Sequence, residues 1–183
     1  MRGVVKYIIM ALIAVVIAAV GNQSMAARRG GIQLPDSLSN TYLHTDALKR
    51  LVIHRDTSEA RRIWHEILER DSTYGPALMY ISRTEHTPHE ALEYARRAFV
   101  ADTTNKWYTE HYATKLVEAR QYTRAIPIYR RLMRLDPRNL QSYHVLAIIY
   151  GSSGMPYSAI AILDSAEMRM GYNHYLAEIK HSL

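Results

Sequence analysis

The feature of this 183-residue sequence that most constrains its fold is a stretch that occurs nearly twice. Residues 107–139 align without a gap on residues 141–173. Small residues recur in register between the two copies: Ala113 with Ala147, and Ala125 with Ala159. A self-similarity with a period of about 34 residues predicts an array of stacked units in which each unit packs against its neighbours.

Two further copies lie upstream. One period before Ala125, the same template falls on Ala91. A further distance upstream, three residues shorter than the period, it falls on Ala60. Apolar residues four and seven places after the alanine, such as Tyr129 and Leu132, form one apolar stripe on a helix. The alanine itself stands where two antiparallel helices must approach closely. Each copy is therefore predicted to be a pair of short amphipathic helices.

This pattern resembles the tetratricopeptide repeat family. The resemblance rests on the alanines above and on the ends of the units, at Asp71-Ser72, Asp102-Thr103, Asp136-Pro137 and Met170-Gly171. It implies an all-α, right-handed helical solenoid of about four helix-turn-helix repeats. It also implies that the first helices of the repeats line a concave groove, which binds peptides or protein segments.

The sequence divides into a targeting segment, a linker, a repeat domain and a cap. Residues 1–26 are predicted to be a signal peptide and residues 27–40 a flexible linker. The repeat domain, residues 41–173, is predicted to contain units at residues 41–74, 75–105, 106–139 and 140–173. Residues 174–183 are predicted to form a capping helix, although the chain could also be a piece of a longer array.

The capping helix is predicted from the spacing of its apolar residues. The side chains expected to face the last apolar stripe are Tyr175, Leu176, Ile179 and Leu183. Those expected to face away are Glu178, Lys180, His181 and Ser182.

Three units depart from the template. The second is three residues short at Ser82–His86, so we expect its first helix to lose most of a turn. In the third, Pro127 removes a backbone hydrogen bond inside the second helix, which predicts a bend or a late helix start. In the first, Leu48 occupies the place of the small residue.

Two second helices are preceded by residues with the spacing of a capping box. In this motif the N-cap side chain and an acid three residues later bond to backbone N–H groups at the start of the helix. The candidates are Asp56–Glu59 and Thr87–Glu90, with Pro88 at the first helical position of the second.

The N-terminus has the pattern of a secretory signal peptide. Arg2 and Lys6 precede an unbroken apolar run at Tyr7–Val20, and small residues stand before a cleavage site after Ala26. Because a membrane-spanning helix needs about 20 residues, the run is short for an anchor. We therefore expect the mature protein in the periplasm or outside the cell. If the run is extended to residues 4–20, it would instead anchor the protein in the inner membrane.

The composition argues against several kinds of chemistry. Without cysteine the chain has no disulfide, thiolate nucleophile or zinc–thiolate site. Residues 1–26 hold Arg2, Lys6 and no acid, so their removal lowers the formal charge from +6 to +4, spread along the chain. We therefore expect no nucleic-acid partner. A nucleophile elbow and a Gly-rich phosphate loop are also missing, so we expect neither an enzyme nor a cofactor.

Nine histidines raise the question of a metal site. The densest group, His86 to Glu90, includes two potential histidine ligands. Zinc-protease motifs need both ligands on one helical face, whereas Pro88 begins a helix and leaves His86 in the turn before it. No third ligand is placed by the sequence, so we expect no metal.

Arginines recur on the second helices and align on one outer surface: Arg61, Arg62, Arg96, Arg97, Arg130, Arg131 and Arg134. The simpler interpretation is a solvated face that pairs with acids such as Glu59, Glu66 and Glu93. The alternative is contact with anionic lipid headgroups or an acidic partner.

The candidate binding surface is the groove lined by the first helices. The side chains that project away from the packed stripes are Tyr42, Lys49, Met79, Tyr80, Arg83, Trp107, Glu110, His111, Thr114, His144 and Ile148. Trp107 and Tyr80 are the predicted anchors, because aromatic side chains supply large contact area. Burial between units is the alternative for Trp107.

One known activity of the family is not supported. Some members hold the C-terminal carboxylate of a peptide with a clamp of lysine, asparagine and arginine. The residues that stand where its first lysine would fall are Thr45, Met79, Glu110 and His144.

The sequence thus predicts a non-catalytic scaffold of the cell envelope that binds a protein or peptide in its groove. The alternative is a membrane-anchored assembly factor that keeps its N-terminal helix and contacts anionic lipid through the arginine-rich face.

Overall fold

The computed structural model describes residues 36–172 and 174–182, which form nine α-helices and no strand. In chain order the helices are α1 (Asp36–Val52), α2 (Thr57–Arg70), α3 (Gly75–Thr84), α4 (Pro88–Ala101), α5 (Lys106–Glu118), α6 (Tyr122–Leu135), α7 (Leu140–Ser152), α8 (Pro156–Met170) and α9 (His174–Ser182). The predicted all-α helical solenoid is confirmed for this part of the chain. The predicted signal peptide and the alternative membrane anchor lie outside the described residues.

The helices pair in sequence into four hairpins, α1–α2, α3–α4, α5–α6 and α7–α8. Each hairpin packs on the next through α2–α3, α4–α5 and α6–α7, and α9 packs on α8. The first helices α3 and α5 also contact each other directly. This contact places the first helices on the inner side of the array. Of the helices described, none is both long and apolar enough to cross a membrane.

The repeated alanines are buried where the helices of a hairpin meet. The fully buried ones are Ala60, Ala113, Ala125, Ala147 and Ala159, and Ala91 is 3% exposed. In the first hairpin the fully buried small residue is Ala47, whereas Leu48 beside it is only partly buried. The sequence analysis assigned the place of the small residue in α1 to Leu48, whereas the structure has it at Ala47, the preceding residue.

The second helices end where the sequence predicts. The C-cap residues that directly follow α2, α4, α6 and α8 are Asp71, Asp102, Asp136 and Gly171. Each donates its backbone N–H to a carbonyl in the last turn of its helix, which keeps that turn closed. Gly171 has a φ of 85°, a conformation that glycine adopts without steric cost.

Of the two predicted capping boxes, one is seen in part and the other is wrong. The Asp56 side chain accepts the Glu59 N–H at 2.9 Å. Thr87 makes no such bond with its side chain, although Pro88 is the first residue of α4. Instead, the Glu85 carboxylate accepts the N–H groups of His86 and Thr87 at 2.7 and 3.2 Å. This acid thus accepts the Thr87 N–H that the box would have paired with Glu90.

The short second unit divides the core of the solenoid. Helix α3 has 10 residues, whereas α5 and α7 have 13 each, which agrees with the predicted loss of most of a turn. One cluster of buried apolar side chains spans α1–α3 and a second spans α4–α9. A recess of about 210 Å³ lies beside the α3–α4 turn, lined in part by Glu85, His86, Lys115 and Glu118.

Two helix starts differ from the sequence interpretation. Helix α1 begins at Asp36, so residues 36–40, which the sequence assigned to the linker, are helical. Asn40 in that segment is only 1% exposed. Helix α6 begins at Tyr122 and continues past Pro127, so the proline does not delay the helix start.

Helix α9 covers the end of the array. Leu176 is fully buried and Ile179 packs against the same apolar cluster. Lys180 was expected to face away, but its Nζ lies 2.5 Å from Asp164 and 2.6 Å from Glu167 on α8. The two carboxylates draw it back onto α8. Leu183 lies outside the described residues.

Three turns inside hairpins place one residue with positive φ five positions before the buried alanine of the second helix. These residues are Arg55 (54°), Arg120 (55°) and Gly154 (73°). A side chain at such a φ crowds the following carbonyl, whereas glycine does not. The two arginines therefore hold a conformation that glycine would adopt more easily.

We expect Arg120→Gly to raise the free energy of unfolding by about 0.5–1 kcal/mol, because removing Cβ relieves the crowding. Urea unfolding followed by circular dichroism measures this. The control is Arg138→Gly, an exposed loop arginine outside the set with positive φ, where glycine should only increase the freedom of the unfolded chain. Equal destabilisation by both variants would contradict the prediction.

Candidate protein-binding groove

The predicted groove residues lie on the first helices of all four hairpins. They are Tyr42 and Lys49 on α1, Met79, Tyr80 and Arg83 on α3, Trp107, Glu110, His111 and Thr114 on α5, and His144 and Ile148 on α7. The exposed members are Tyr42, Lys49, Arg83, Trp107, Thr114 and Ile148. The remaining five are partly buried, and most of these have partners within the protein.

Trp107 is the most prominent apolar side chain of the groove. It is the second residue of α5, and its backbone N–H is held by the Asn105 side chain at 3.0 Å. The indole is 60% exposed, which excludes the burial between units that the sequence left open. The Lys106 ammonium lies 5.1 Å from the centre of the ring and forms an ion pair with Asp136 at 3.0 Å. These contacts hold the tryptophan at the surface.

Tyr80, the second predicted anchor, belongs to the wall of the groove. Its ring stacks on the fully buried Trp64, with centroids 5.0 Å apart. The His44 ring lies 5.5 Å away, and the Arg83 guanidinium lies 5.7 Å from the ring centre. Because these partners come from α1, α2 and α3, Tyr80 joins the first two hairpins and is less available to a ligand than Trp107.

His44 was missed by the sequence analysis. Its Nδ1 accepts the Trp64 indole N–H at 3.2 Å, so the neutral ring carries its proton on Nε2. Burial lowers the pKa of His44 to about 4. His44 stands three residues before Ala47, as His144 stands three residues before Ala147. The repeat register would therefore have identified it had the buried alanine of α1 been placed correctly.

His111 joins three helices through one serine. Ser82 on α3 donates its hydroxyl to the Ala91 carbonyl on α4 at 2.6 Å, and its oxygen lies 2.8 Å from His111 Nε2 on α5. Because a hydroxyl has one proton to donate, His111 must be the donor to Ser82 and carries its proton on Nε2. Burial, with smaller contributions from Lys115 and Arg83, lowers the pKa of His111 to about 4.

Two further groove residues also have partners in the next element. The Glu110 carboxylate accepts the Asn139 side-chain N–H at 3.3 Å, and Asn139 caps the start of α7. His144 Nδ1 lies 2.7 Å from the Tyr175 hydroxyl on α9, and the two rings meet edge to face. Burial lowers the pKa of His144 below its usual value. The polar groups of the groove therefore tie successive units together.

Comparison with solved structures identifies the fold. No family model matches this sequence, and no curated protein matches it. A tetratricopeptide repeat protein from Parabacteroides merdae superimposes with a TM-score of 0.67 at 16% identity, over 79% of this chain and 58% of that one. This chain has the tetratricopeptide repeat fold.

Two further structures have the same arrangement of helices. Pseudomonas aeruginosa pilF matches with a TM-score of 0.61 at 18% identity, over 80% of this chain and 68% of that one. MamA matches with a TM-score of 0.62 at 19% identity, over 72% of this chain and 78% of that one. At these identities the likeness concerns the fold.

Six of the seven arginines predicted on the outer surface are engaged in contacts within the protein. Arg97 and Arg131, which hold equivalent places in successive units, donate to the carbonyls of Ser72 and Thr103 in the preceding interunit turns, each at 2.9 Å. Similar contacts join Arg61 to Glu85, Arg62 to Glu59, Arg96 to Glu93 and Arg130 to Tyr150. These contacts support the interpretation of the arginines as a solvated, internally paired face.

The groove carries little unpaired charge around Trp107. Lys106 is paired with Asp136, and Glu110 is bonded to Asn139. Burial keeps the three histidines His44, His111 and His144 neutral near pH 7. Among residues 36–172 and 174–182, no three histidine or carboxylate side chains are grouped so as to hold a metal ion. Around Trp107 the groove therefore presents aromatic and apolar contacts with neutral polar groups between them, whereas the exposed Lys49 and Arg83 are cationic.

The lowered histidine pKa values predict a specific acid sensitivity. In the unfolded chain His44 and His111 bind protons below a pKa of 6.5, whereas in the folded chain burial lowers the pKa of both to about 4. Stability should therefore fall as the pH drops from 6.5 towards 4. The contribution of His111 is on the order of 3 kcal/mol, at about 1.36 kcal/mol per pKa unit.

We expect His111→Gln to reduce this loss, because glutamine can still donate to Ser82 and does not titrate. The measurement is the difference in free energy of unfolding between pH 7 and pH 4.5, for the variant and the wild type. The exposed His54→Gln serves as the matched control and should keep the wild-type difference. An unchanged pH dependence in His111→Gln would refute the role assigned to this side chain.

Proposed function

We propose that this protein is a non-catalytic scaffold of the cell envelope that binds a peptide or protein segment in its groove. The observation that carries the proposal is the exposure of Trp107, which is 60% accessible on a helix of the inner surface. Large aromatic side chains held at a fixed place contribute strongly to protein–protein contacts. Solved proteins of the same fold include one described as a tetratricopeptide repeat protein.

The ligand contact is centred on successive first helices. Trp107 on α5 and Ile148 on α7, which is 49% exposed, supply apolar area, and Tyr175 on α9 extends it. The bonds of His111, Glu110 and His144 to neighbouring units fix the spacing between these helices. A surface that is already ordered binds with a small entropy cost of its own. The partners of Lys106 and Glu110 leave little unpaired charge around Trp107, which favours an apolar or amphipathic segment there.

The proposal places the protein in the periplasm or outside the cell, after removal of a signal peptide. It is supported by the positive start, the short apolar run and the small residues before Ala27. The rival is an inner-membrane protein that keeps residues 4–20 and touches anionic lipid through its arginines. The contacts of Arg97 and Arg131 within the protein weigh against that rival.

Mass spectrometry of the native N-terminus distinguishes these two proposals. We expect the mature chain to begin at Ala27, because the apolar run is too short to span a bilayer comfortably. An intact Met1 in the membrane fraction would overturn the cleaved form and favour the anchored one.

The groove is tested by removing its most exposed apolar contacts. We expect Trp107→Ala combined with Ile148→Ala to lower partner capture at least about tenfold, because both side chains are exposed and available to a ligand. Capture is measured by crosslinking in the native envelope followed by quantification of the crosslinked neighbour. The melting temperature should stay close to that of the wild type.

The matched control is Tyr157→Ala combined with Met168→Ala on α8. These side chains are 87% and 88% exposed but lie on a second helix. This variant should capture the partner at the wild-type level. If the groove variant captures as much as the control, the assignment of the groove is wrong.

A further inference from the structure

Helix α1 carries an exposed stripe on the side opposite to its packed face. Leu38 is 56% exposed, Tyr42 is 44% exposed and Val52 is 73% exposed, and Lys49 is exposed on the same line. The packed side of α1 is marked by Ala47, which is fully buried. The stripe therefore lies opposite the face of α1 that packs in the first hairpin. It includes Tyr42 and Lys49 of the predicted groove, but the groove contacts centred on Trp107 do not use it.

The spacing of this stripe is that of a helix–helix contact. Together with Thr45, its residues follow one another at intervals of 4, 3, 4 and 3 along Leu38, Tyr42, Thr45, Lys49 and Val52. Side chains at alternating intervals of four and three residues lie along one side of a helix. This is the pattern found where two helices pack side by side. The stripe extends over most of the 17 residues of α1.

We propose that this stripe binds a second copy of the same chain, with the two α1 helices antiparallel about a two-fold axis at Thr45. In this arrangement Tyr42 of each copy faces Lys49 of the other, and Leu38 faces Val52. Thr45, near the centre, faces itself, and its small side chain allows the helices to approach. The stripe is thus complementary to itself, as a two-fold interface requires.

The charges of the stripe favour this arrangement over a parallel one. A parallel pair would place Lys49 opposite Lys49, and two like charges in contact repel each other. In the antiparallel pair the two lysines lie about 12 Å apart along the axis, at a rise of about 1.5 Å per residue. Each ammonium instead meets the ring of Tyr42, which attracts a cation. The flanking Asp46 and Arg50 already form an ion pair at 3.6 Å within one helix.

The size of the stripe predicts a weak dimer. Two 17-residue helices in contact through one stripe bury less than the roughly 1,200 Å² typical of stable interfaces. We therefore expect a dissociation constant on the order of micromolar. Because the contact uses α1, it leaves Trp107 and Ile148 open in both copies. A dimer would present two grooves, which raises the avidity for a ligand with repeated segments.

The native chain has no cysteine, so a single introduced cysteine reports the contact cleanly. In Thr45→Cys the two thiols lie near the proposed axis, where helix axes about 8–10 Å apart bring facing Cα atoms within disulfide distance. The matched control is Thr114→Cys, since both threonines lie on first helices and bond to the carbonyl four residues earlier at 2.9 Å. Both variants are made in the full chain and exposed to mild oxidation.

We expect Thr45→Cys to form a disulfide-linked dimer at micromolar concentration and Thr114→Cys to remain monomeric. Adding Tyr42→Lys to Thr45→Cys should slow the crosslinking at least about tenfold, because an ammonium replaces the ring facing Lys49 and two like charges in contact repel each other. Sedimentation equilibrium of the chain without cysteine should show a dimer that Tyr42→Lys weakens by a similar factor.

Three outcomes would overturn the proposal. The first is equal crosslinking at positions 45 and 114. The second is a Thr45→Cys variant whose thiol neither crosslinks nor reacts with maleimide. This result would mean that another segment of the same chain covers the stripe. The third is a reactive thiol on a chain that stays monomeric up to the millimolar range, which would leave the stripe to a different partner.

Discussion

The close approach of two helices over an alanine is the contact on which the rest of the structure depends. Ala60, Ala125 and Ala159 on the second helices are fully buried, and a larger side chain there would separate the helices of the hairpin. Larger residues one turn further on, such as Trp64 and Tyr129, then fill the space towards the next hairpin. Hairpin geometry, stacking and the spacing of the first helices all follow from this alternation of small and large residues.

The solenoid is not uniform, because one joint is polar. The second hairpin has lost three residues at its turn, and the apolar core is divided there into two clusters. Ser82 takes the place that Ala113 and Ala147 hold in later units, and it is bonded to both Ala91 and His111. His111 donates to Ser82 and is mostly buried in this joint. Protonation of its other ring nitrogen would leave this hydrogen bond in place but would put a charge where water is largely excluded, which destabilises the joint.

The repeat and its limits could be predicted from the sequence because they depend on local spacing. The buried alanines, the helix ends at Asp71, Asp102 and Asp136, and the shortened α3 all follow from periodicity and from the chemistry of single residues. A helix pattern, however, leaves the register uncertain by one residue where two adjacent residues are both apolar. Ala47 and Leu48 are such a pair, and the wrong choice between them concealed His44.

Contacts between units could not be predicted in the same way. Tyr80 stacks on Trp64 from the preceding helix, and Arg97 and Arg131 reach carbonyls in turns 25 and 28 residues away. These partners are set by how one hairpin lies on another, which periodicity alone does not fix. The candidate groove shows both cases: Trp107 is exposed as its position suggests, whereas half-buried Tyr80 joins the first two hairpins.

The most direct test of this account is the stability of Ala125→Leu in urea unfolding, compared with Ala161→Leu. Ala125 is fully buried in a hairpin contact, whereas Ala161 is exposed on α8. The account predicts that Ala125→Leu lowers the free energy of unfolding by about 1–3 kcal/mol. The exposed replacement should change it by less than about 0.5 kcal/mol. If leucine is tolerated equally at both positions, close packing over the alanines does not hold this solenoid together.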